Sequence, residues 1–187
     1  MRKLKLQVQI TMDGFISGTN GEMDWMTFNW SADLNEYVTQ LTNPVDTILL
    51  GRNLAQGFIP HWTAVLANPD TADEAAKKFV ETPKVVFSKT LTTSPWERTR
   101  IASGKLVEEI NALKKQKGSD MIVYGGSKFV SSLIKEKLID ELHLFINPAV
   151  IGKGLPIFQE VTGKQSYKLM ASKAFECGIV VLTYQPI

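Results

Sequence analysis

Near the start of the chain Leu4, Leu6, Val8 and Ile10 alternate with Lys3, Lys5, Gln7 and Gln9. A period of two is that of a strand with unlike faces, so a strand is predicted to open the fold. Thr11 to Trp30 then loses all period, is rich in Gly, Asn and Asp, and holds Trp25, Phe28 and Trp30. A loop of that length often carries function. From Ser31, placed to cap a helix, the period becomes helical: Leu34, Tyr37, Val38 and Leu41 fall at i, i+3, i+4 and i+7, and Asn43-Pro44 stops the helix before the apolar run Thr47 to Leu50. The alternation recurs. Thr71 and Glu74 have the spacing of a capping box for a helix through Val80, Thr82-Pro83 ends it, and Lys84 to Phe87 reads as a strand. Leu106, Ile110 and Leu113 mark a helix, Met121 to Tyr124 a buried strand, and Gly125-Gly126 a turn into a helix around Phe129, Val130, Leu133 and Ile134. Ile139 to Val150 is rich in strand formers, and Tyr167 to Glu176 and Ile179 to Tyr184 read as two strands joined at Cys177-Gly178. The expected class is α/β: a mostly parallel sheet covered on both faces and completed by a C-terminal antiparallel hairpin. With 187 residues and no repeat or linker, residues 1–187 are expected to form one domain.

Composition narrows the function classes. Twenty-one Lys and Arg against nineteen Asp and Glu leave a net charge of +2, too small for a general nucleic-acid or membrane-surface footprint, so any anion site must be local. One cysteine excludes an internal disulfide and a Cys-based zinc site. No metal is expected, and His61 and His143 are too isolated for a metal site or a catalytic triad. The N-terminal residues form no apolar run of signal-peptide type, and a cytoplasmic location is expected.

Three strand ends carry unusual turn chemistry, and ligands of open α/β sheets bind outside the carboxyl ends of strands. Gly125 and Gly126, followed by Ser127, lack Cβ atoms, so that a phosphate can approach the backbone at the start of a helix. A tight turn would need the same residues. Gly51-Arg52 places a guanidinium at the end of another buried strand, where it suits either a phosphate or an ordinary ion pair. Ser88-Lys89 offers a hydroxyl and an ammonium after a third. Taken together the three point to a dinucleotide with a pyrophosphate and an extra 2′-phosphate, which is NADPH.

The order Asp13-Gly14-Phe15-Ile16, Leu49-Leu50-Gly51-Arg52, Val85-Val86-Phe87-Ser88-Lys89 and Ile122-Val123-Tyr124-Gly125-Gly126-Ser127 resembles that of dihydrofolate reductases. Ile139-Asp140-Glu141-Leu142-His143-Leu144 through Pro148, Gly152, Gly154, Pro156 and Phe158 resembles more specifically the reductase domain of the bifunctional riboflavin deaminase-reductase. The resemblance implies a three-layer α/β/α fold, NADPH lying across the strand ends, and hydride transfer from the nicotinamide to a heterocyclic or sugar carbon of a small heterocyclic substrate. Carried over by position, Ile16, Ser17 and Gly18 belong to a flexible loop near the nicotinamide, while Gly51 and Arg52 meet the cofactor phosphates. Ser88 and Lys89 meet the 2′-phosphate, and Gly125, Gly126 and Ser127 the pyrophosphate. Asn53 stands near where the family often has a phosphate-touching Thr or Ser; it keeps a donor.

Asp33 resembles the carboxylate that holds the pterin ring in dihydrofolate reductases, and partial desolvation would raise its pKa and let it support protonation. An Asp in the first turn of a helix is also stabilising simply through the dipole. Three functions follow as expectations: reduction of 5-amino-6-(5-phosphoribosylamino)uracil in riboflavin biosynthesis, reduction of a pterin, or nucleotide binding without turnover. A homodimer is expected as well, because the apolar tail strand Ile179 to Tyr184 would leave an edge in need of cover.

Overall fold

The computed structural model describes Met1–Ile187. Its elements are β1 (Leu4–Thr11), β2 (Phe15–Ser17), α1 (Ala32–Thr42), β3 (Val45–Gly51), α2 (Arg52–Ala67), α3 (Glu74–Glu81), β4 (Lys84–Phe87), β5 (Thr99–Ala102), α4 (Leu106–Lys115), β6 (Asp120–Val123), α5 (Ser127–Lys135), β7 (Glu141–Asn147), β8 (Leu155–Pro156), β9 (Tyr167–Ala174) and β10 (Val180–Pro186). Eight strands form one sheet in the order β5-β4-β3-β6-β1-β7-β10-β9. Those from β5 to β7 are parallel, and the hairpin β9–β10 joins β7 antiparallel. The expected α/β class with a mostly parallel sheet and a terminal hairpin is what the chain adopts.

The alternation of β1 sets the two faces. Leu4, Leu6, Val8 and Ile10 join Ile110, Leu113, Val130, Leu133 and Ile134 in the largest core, so α4 and α5 cover that face. The other face has two separate cores: Ile48, Leu50, Val86 and Ile122 under α2 and α3, and Phe145 and Val181 under α1. Between them runs the polar side of β1. Lys5 is in register with Ile122 of one core and Gln9 with Phe145 of the other, so Lys5, Gln7, Gln9 and Thr11 form a polar strip on that face of the sheet between the two cores.

Three features differ from the sequence expectation. The helix before β4 is capped by Asp73, whose carboxylate accepts from the Ala76 N–H at 2.7 Å, and not by a box beginning at Thr71. Such a cap contributes about 1 kcal/mol. Helix α2 lies outside the predicted elements, since Gly57 and Pro60 interrupt its apolar pattern; the packing of Ala55, Ile59, Phe58 and Trp62 on β3 and β4 holds it regardless. The strand from Ile179 to Tyr184 is not an edge. β10 is paired on both sides, and the edge at this end of the sheet is β9, with Leu169 and Met170 about half exposed.

Candidate active site

The first half of the site is built at the ends of β4, β3 and β6. Leu49 is in register with Val123, which brings Gly51 and Gly125 side by side two residues later. Each strand runs directly into a helix whose cap is a glycine, Gly51 for α2 and Gly126 for α5, and neither start receives a side-chain cap. Two sets of first-turn N–H groups therefore face the strand ends, a ready anion site. Gly125 and Gly126 have φ of 155° and 86°, and a Cβ on Gly51 would lie 2.9 Å from Cβ of Phe129. Glycine at these positions is thus required by backbone conformation and by close packing of α5.

Arg52 leans toward the loop after β4, donating from Nη1 to Thr90 Oγ1 at 3.2 Å and from Nη2 to Asn53 Oδ1 at 3.1 Å. Ser88 is buried, and its hydroxyl oxygen accepts from the Thr90 and Leu91 N–H groups at 3.1 and 2.9 Å. Its first task is to shape that loop. Lys89 donates to the Ser103 and Gly104 carbonyls at 2.8 and 2.9 Å. Thr90, not singled out in the sequence, is the residue through which Arg52 and this loop meet. Nothing in local sequence marks it, because the contact spans β3 and β4.

The second half lies at the ends of β1 and β7. Ile16 and Ser17 are buried, and β2 pairs with β8, where Gly154 packs directly against Ser17 O. Ile16 and Ser17, expected in a loop, lie in this two-stranded ribbon, and Gly18 just beyond it turns on a backbone bond from its N–H to Glu22 O at 2.8 Å. Asp13 accepts from the Ile151 and Gly152 N–H groups at 3.2 and 2.7 Å, and the Thr11 hydroxyl together with these amides holds its carboxyl below the usual range. Asn147, fully buried, donates to Gln9 Oε1 at 2.7 Å and accepts from the Thr27 N–H at 3.0 Å, tying the long loop to β1 and β7.

Asp33 sits at the start of α1, against the hairpin turn. Oδ1 accepts from the Ser31 hydroxyl and from the Leu34 N–H at 2.9 Å, and Oδ2 accepts from the Glu176 N–H at 3.4 Å. Ser31 stands at the cap position, but its side chain serves Asp33 and receives the Cys177 N–H instead of capping the helix. The Ser31 hydroxyl and these amides hold the Asp33 carboxyl below its ordinary value, opposite to the rise expected from desolvation. His143 has a satisfied structural setting in β7, with Nδ1 3.0 Å from Tyr37 Oη and 3.3 Å from Thr183 Oγ1, and burial pushes its pKa down. No group of three His, Cys, Asp or Glu residues is placed to hold a metal ion, and no helix is long and apolar enough to cross a membrane.

The family model described as the RibD C-terminal domain matches residues 2–181. The uncharacterized protein YyaP of Bacillus subtilis (strain 168) is 35% identical over 186 residues, 98% of this chain and 94% of that protein. Among solved structures, a diaminohydroxyphosphoribosylaminopyrimidine deaminase/5-amino-6-(5-phosphoribosylamino)uracil reductase from Thermotoga maritima superposes with a TM-score of 0.72 at 20% identity, over 100% of this chain and 57% of that one. The dihydrofolate reductase of Enterococcus faecalis, complexed with NADP(H), superposes with a TM-score of 0.63 at 17% identity, over 98% and 96% of the two chains. At such identities the likeness of the two solved structures is one of fold.

Proposed function

The chain belongs to the RibD C-terminal domain family, and from that premise we propose that it is an NADPH-dependent reductase of a small nitrogen heterocycle. The observation that carries the reading is the pair of uncapped, glycine-started helices at adjacent strand ends, Gly51 for α2 and Gly126 for α5, with a guanidinium beside them. A pyrophosphate suits the first-turn N–H groups around Arg52 and Ser127, and the φ of Gly126 keeps a side chain out of its path. Arg52, Lys89 and Thr90 form the polar group beside it that suits a 2′-phosphate, with Ser88 holding their loop and Asn53 orienting the guanidinium.

When bound, NADPH supplies the hydride. The chain's own residues would hold the substrate ring against the polar face of β1 and keep water from the reacting carbon, which is a ring carbon in a dihydropterin and the sugar carbon in a ribosylaminopyrimidine: Ile16 and Ser17 are pinned by the β2–β8 ribbon, and Asn147 ties the aromatic loop to β1. Asp33 is ionised at neutral pH in this reading. It therefore orients a ring N–H as an acceptor, and the proton that balances the hydride comes from water.

Two ring classes are the candidates: the ribosylaminopyrimidine named for the Thermotoga maritima enzyme, and a dihydropterin. Loss of NADPH absorbance upon adding either compound is the expected result. Tight NADPH binding without oxidation of the cofactor by either ring would favour a nucleotide-binding protein instead. We also propose a homodimer formed through β9, whose Leu169 and Met170 lie on an unpaired edge. Light scattering at micromolar concentration should give twice the chain mass, and replacement of both residues by Lys should return it to one.

A further inference from the structure

We propose that the protein carries a second anion site, for a phosphate dianion, in the cleft beside the end of α4 at the amino ends of β4 and β5, held by Lys84, Arg98 and Arg100. The proposal is independent of the reductase reading, because this cleft lies at the opposite end of the sheet from Gly51 and Gly126: Lys84 begins β4, and Ser88 follows its last residue. The cleft has a volume of about 440 Å³, within the range of small-molecule sites.

Charge sets it apart. Its walls hold three cations and no carboxylate, in a chain whose net charge is only +2. The exposed Arg98 guanidinium makes no hydrogen bond or ion pair within the chain, and Arg100 reaches only Glu109, at 3.4 Å. Lys84 is buried, and its ammonium donates to the Val80 and Thr82 carbonyls at 2.9 and 2.8 Å, neutral acceptors that leave its charge uncancelled. Burial, and after it the charge of Arg98, push its pKa down to about 8. An anion seated beside the two cations relieves that repulsion.

The adjoining cleft shows the opposite arrangement. It shares Thr47, Pro83 and Gln116 with the first, yet two acids line it with its cations: Arg2 pairs with Asp46 and donates to Thr47 Oγ1 and Ser119 O, and Glu81 accompanies Lys78 and Lys117. Backbone carbonyls account for Lys78 and Lys84 as cations near helix ends. They do not account for Arg98 and Arg100. Arg98 also has φ 49°, the left-handed region that a residue with a Cβ enters at a cost, and its carbonyl accepts from the Lys84 N–H at 2.8 Å. Glycine suits that backbone better, so the turn by itself gives no reason for an arginine. Two guanidinium forks beside an ammonium suit an anion with two charges and several acceptor oxygens, a phosphate that is free or part of a monoester.

The test is NMR titration of the isotope-labelled protein with inorganic phosphate and with glycerol 3-phosphate, against sodium chloride at equal ionic strength. Amide signals of Thr99, Arg100 and Leu113 should move and saturate with a dissociation constant below about 1 mM. The Lys84 pKa, read from its side-chain signals, should rise above about 8 when phosphate is present. Equal affinity for the two compounds means that the site takes monoesters, and preference for inorganic phosphate restricts it to the free ion. Arg98→Gly removes the cation and fits the backbone, so its melting temperature should hold while phosphate affinity falls about tenfold. Arg100→Gln, on the neighbouring strand, should lower affinity about threefold. Shifts confined to Gly51, Gly126 and Ser127, shifts matched by sodium chloride, or phosphate affinity unchanged in both variants would each overturn the proposal.

Discussion

The two halves of the strand-end surface are built to opposite specifications. On the β4–β3–β6 side the strand ends present glycines, the first-turn N–H groups of two helices and the cations Arg52 and Lys89, a surface of main chain and positive charge. On the β1–β7 side the surface is side-chain amide and carboxylate, roofed by a loop that Asn147 and Asp13 tie down. If the proposed function holds, the two halves divide two recognition tasks: the first depends on backbone geometry at three glycines, the second on individual side chains.

The sharpest way to break this division is Gly126→Val. At φ 86° a branched residue strains the turn by about 1–2 kcal/mol and places atoms in the position proposed for the pyrophosphate. NADPH affinity should fall at least about a hundredfold, or ~2.8 kcal/mol, while affinity of the free protein for a ring ligand stays within a few fold. Equal loss of both would show that the halves are not independent. Next in size is Arg52→Ala, expected to weaken NADPH about tenfold with little change for NADH, in fluorescence titrations of both cofactors. Lys89→Ala should show the same bias more weakly, because its ammonium already has two carbonyl partners. If Lys89 proves the stronger determinant, the loop opens away from Ser103 and Gly104 when the cofactor binds.

The remaining test is Asp33→Asn on the β1–β7 side, which is expected to change turnover and leave cofactor affinity alone. Turnover should fall about tenfold with NADPH affinity intact, since one charged acceptor is lost and the chemistry keeps its proton source. Its carboxyl has a folded pKa below the unfolded value, so the stability it contributes is present above pH ~4 and is lost as pH falls through the folded value. Melting curves of the wild type and Asp33→Asn should therefore differ at neutral pH and converge in acid. A variant that melts lower yet keeps full turnover per folded molecule would make Asp33 a latch between α1 and the hairpin and nothing more.

What the sequence determined by itself was the alternation of periods and the glycine punctuation. Leu4 to Ile10 reads as a two-faced strand because side chains alternate whatever the strand pairs with, and Gly51, Gly125 and Gly126 mark turns because backbone sterics are local. The α/β class, the hairpin at Cys177-Gly178 and the family resemblance followed from these. Only tertiary structure decided the rest. Helix α2 persists through Gly57 and Pro60 because its packing on β3 and β4 outweighs propensity, and β5 forms because β4 offers it an edge. The meeting of Arg52 with Thr90, the burial of Asn147 beneath Thr27 and the unpaired oxygen of Gln7 each join residues distant in the chain. In the sequence Gln7 is only the polar half of an alternating pair. That its buried oxygen meets no donor of the chain was decided by the packing of both helices, because a hydrogen bond is met or unmet only relative to everything packed around it.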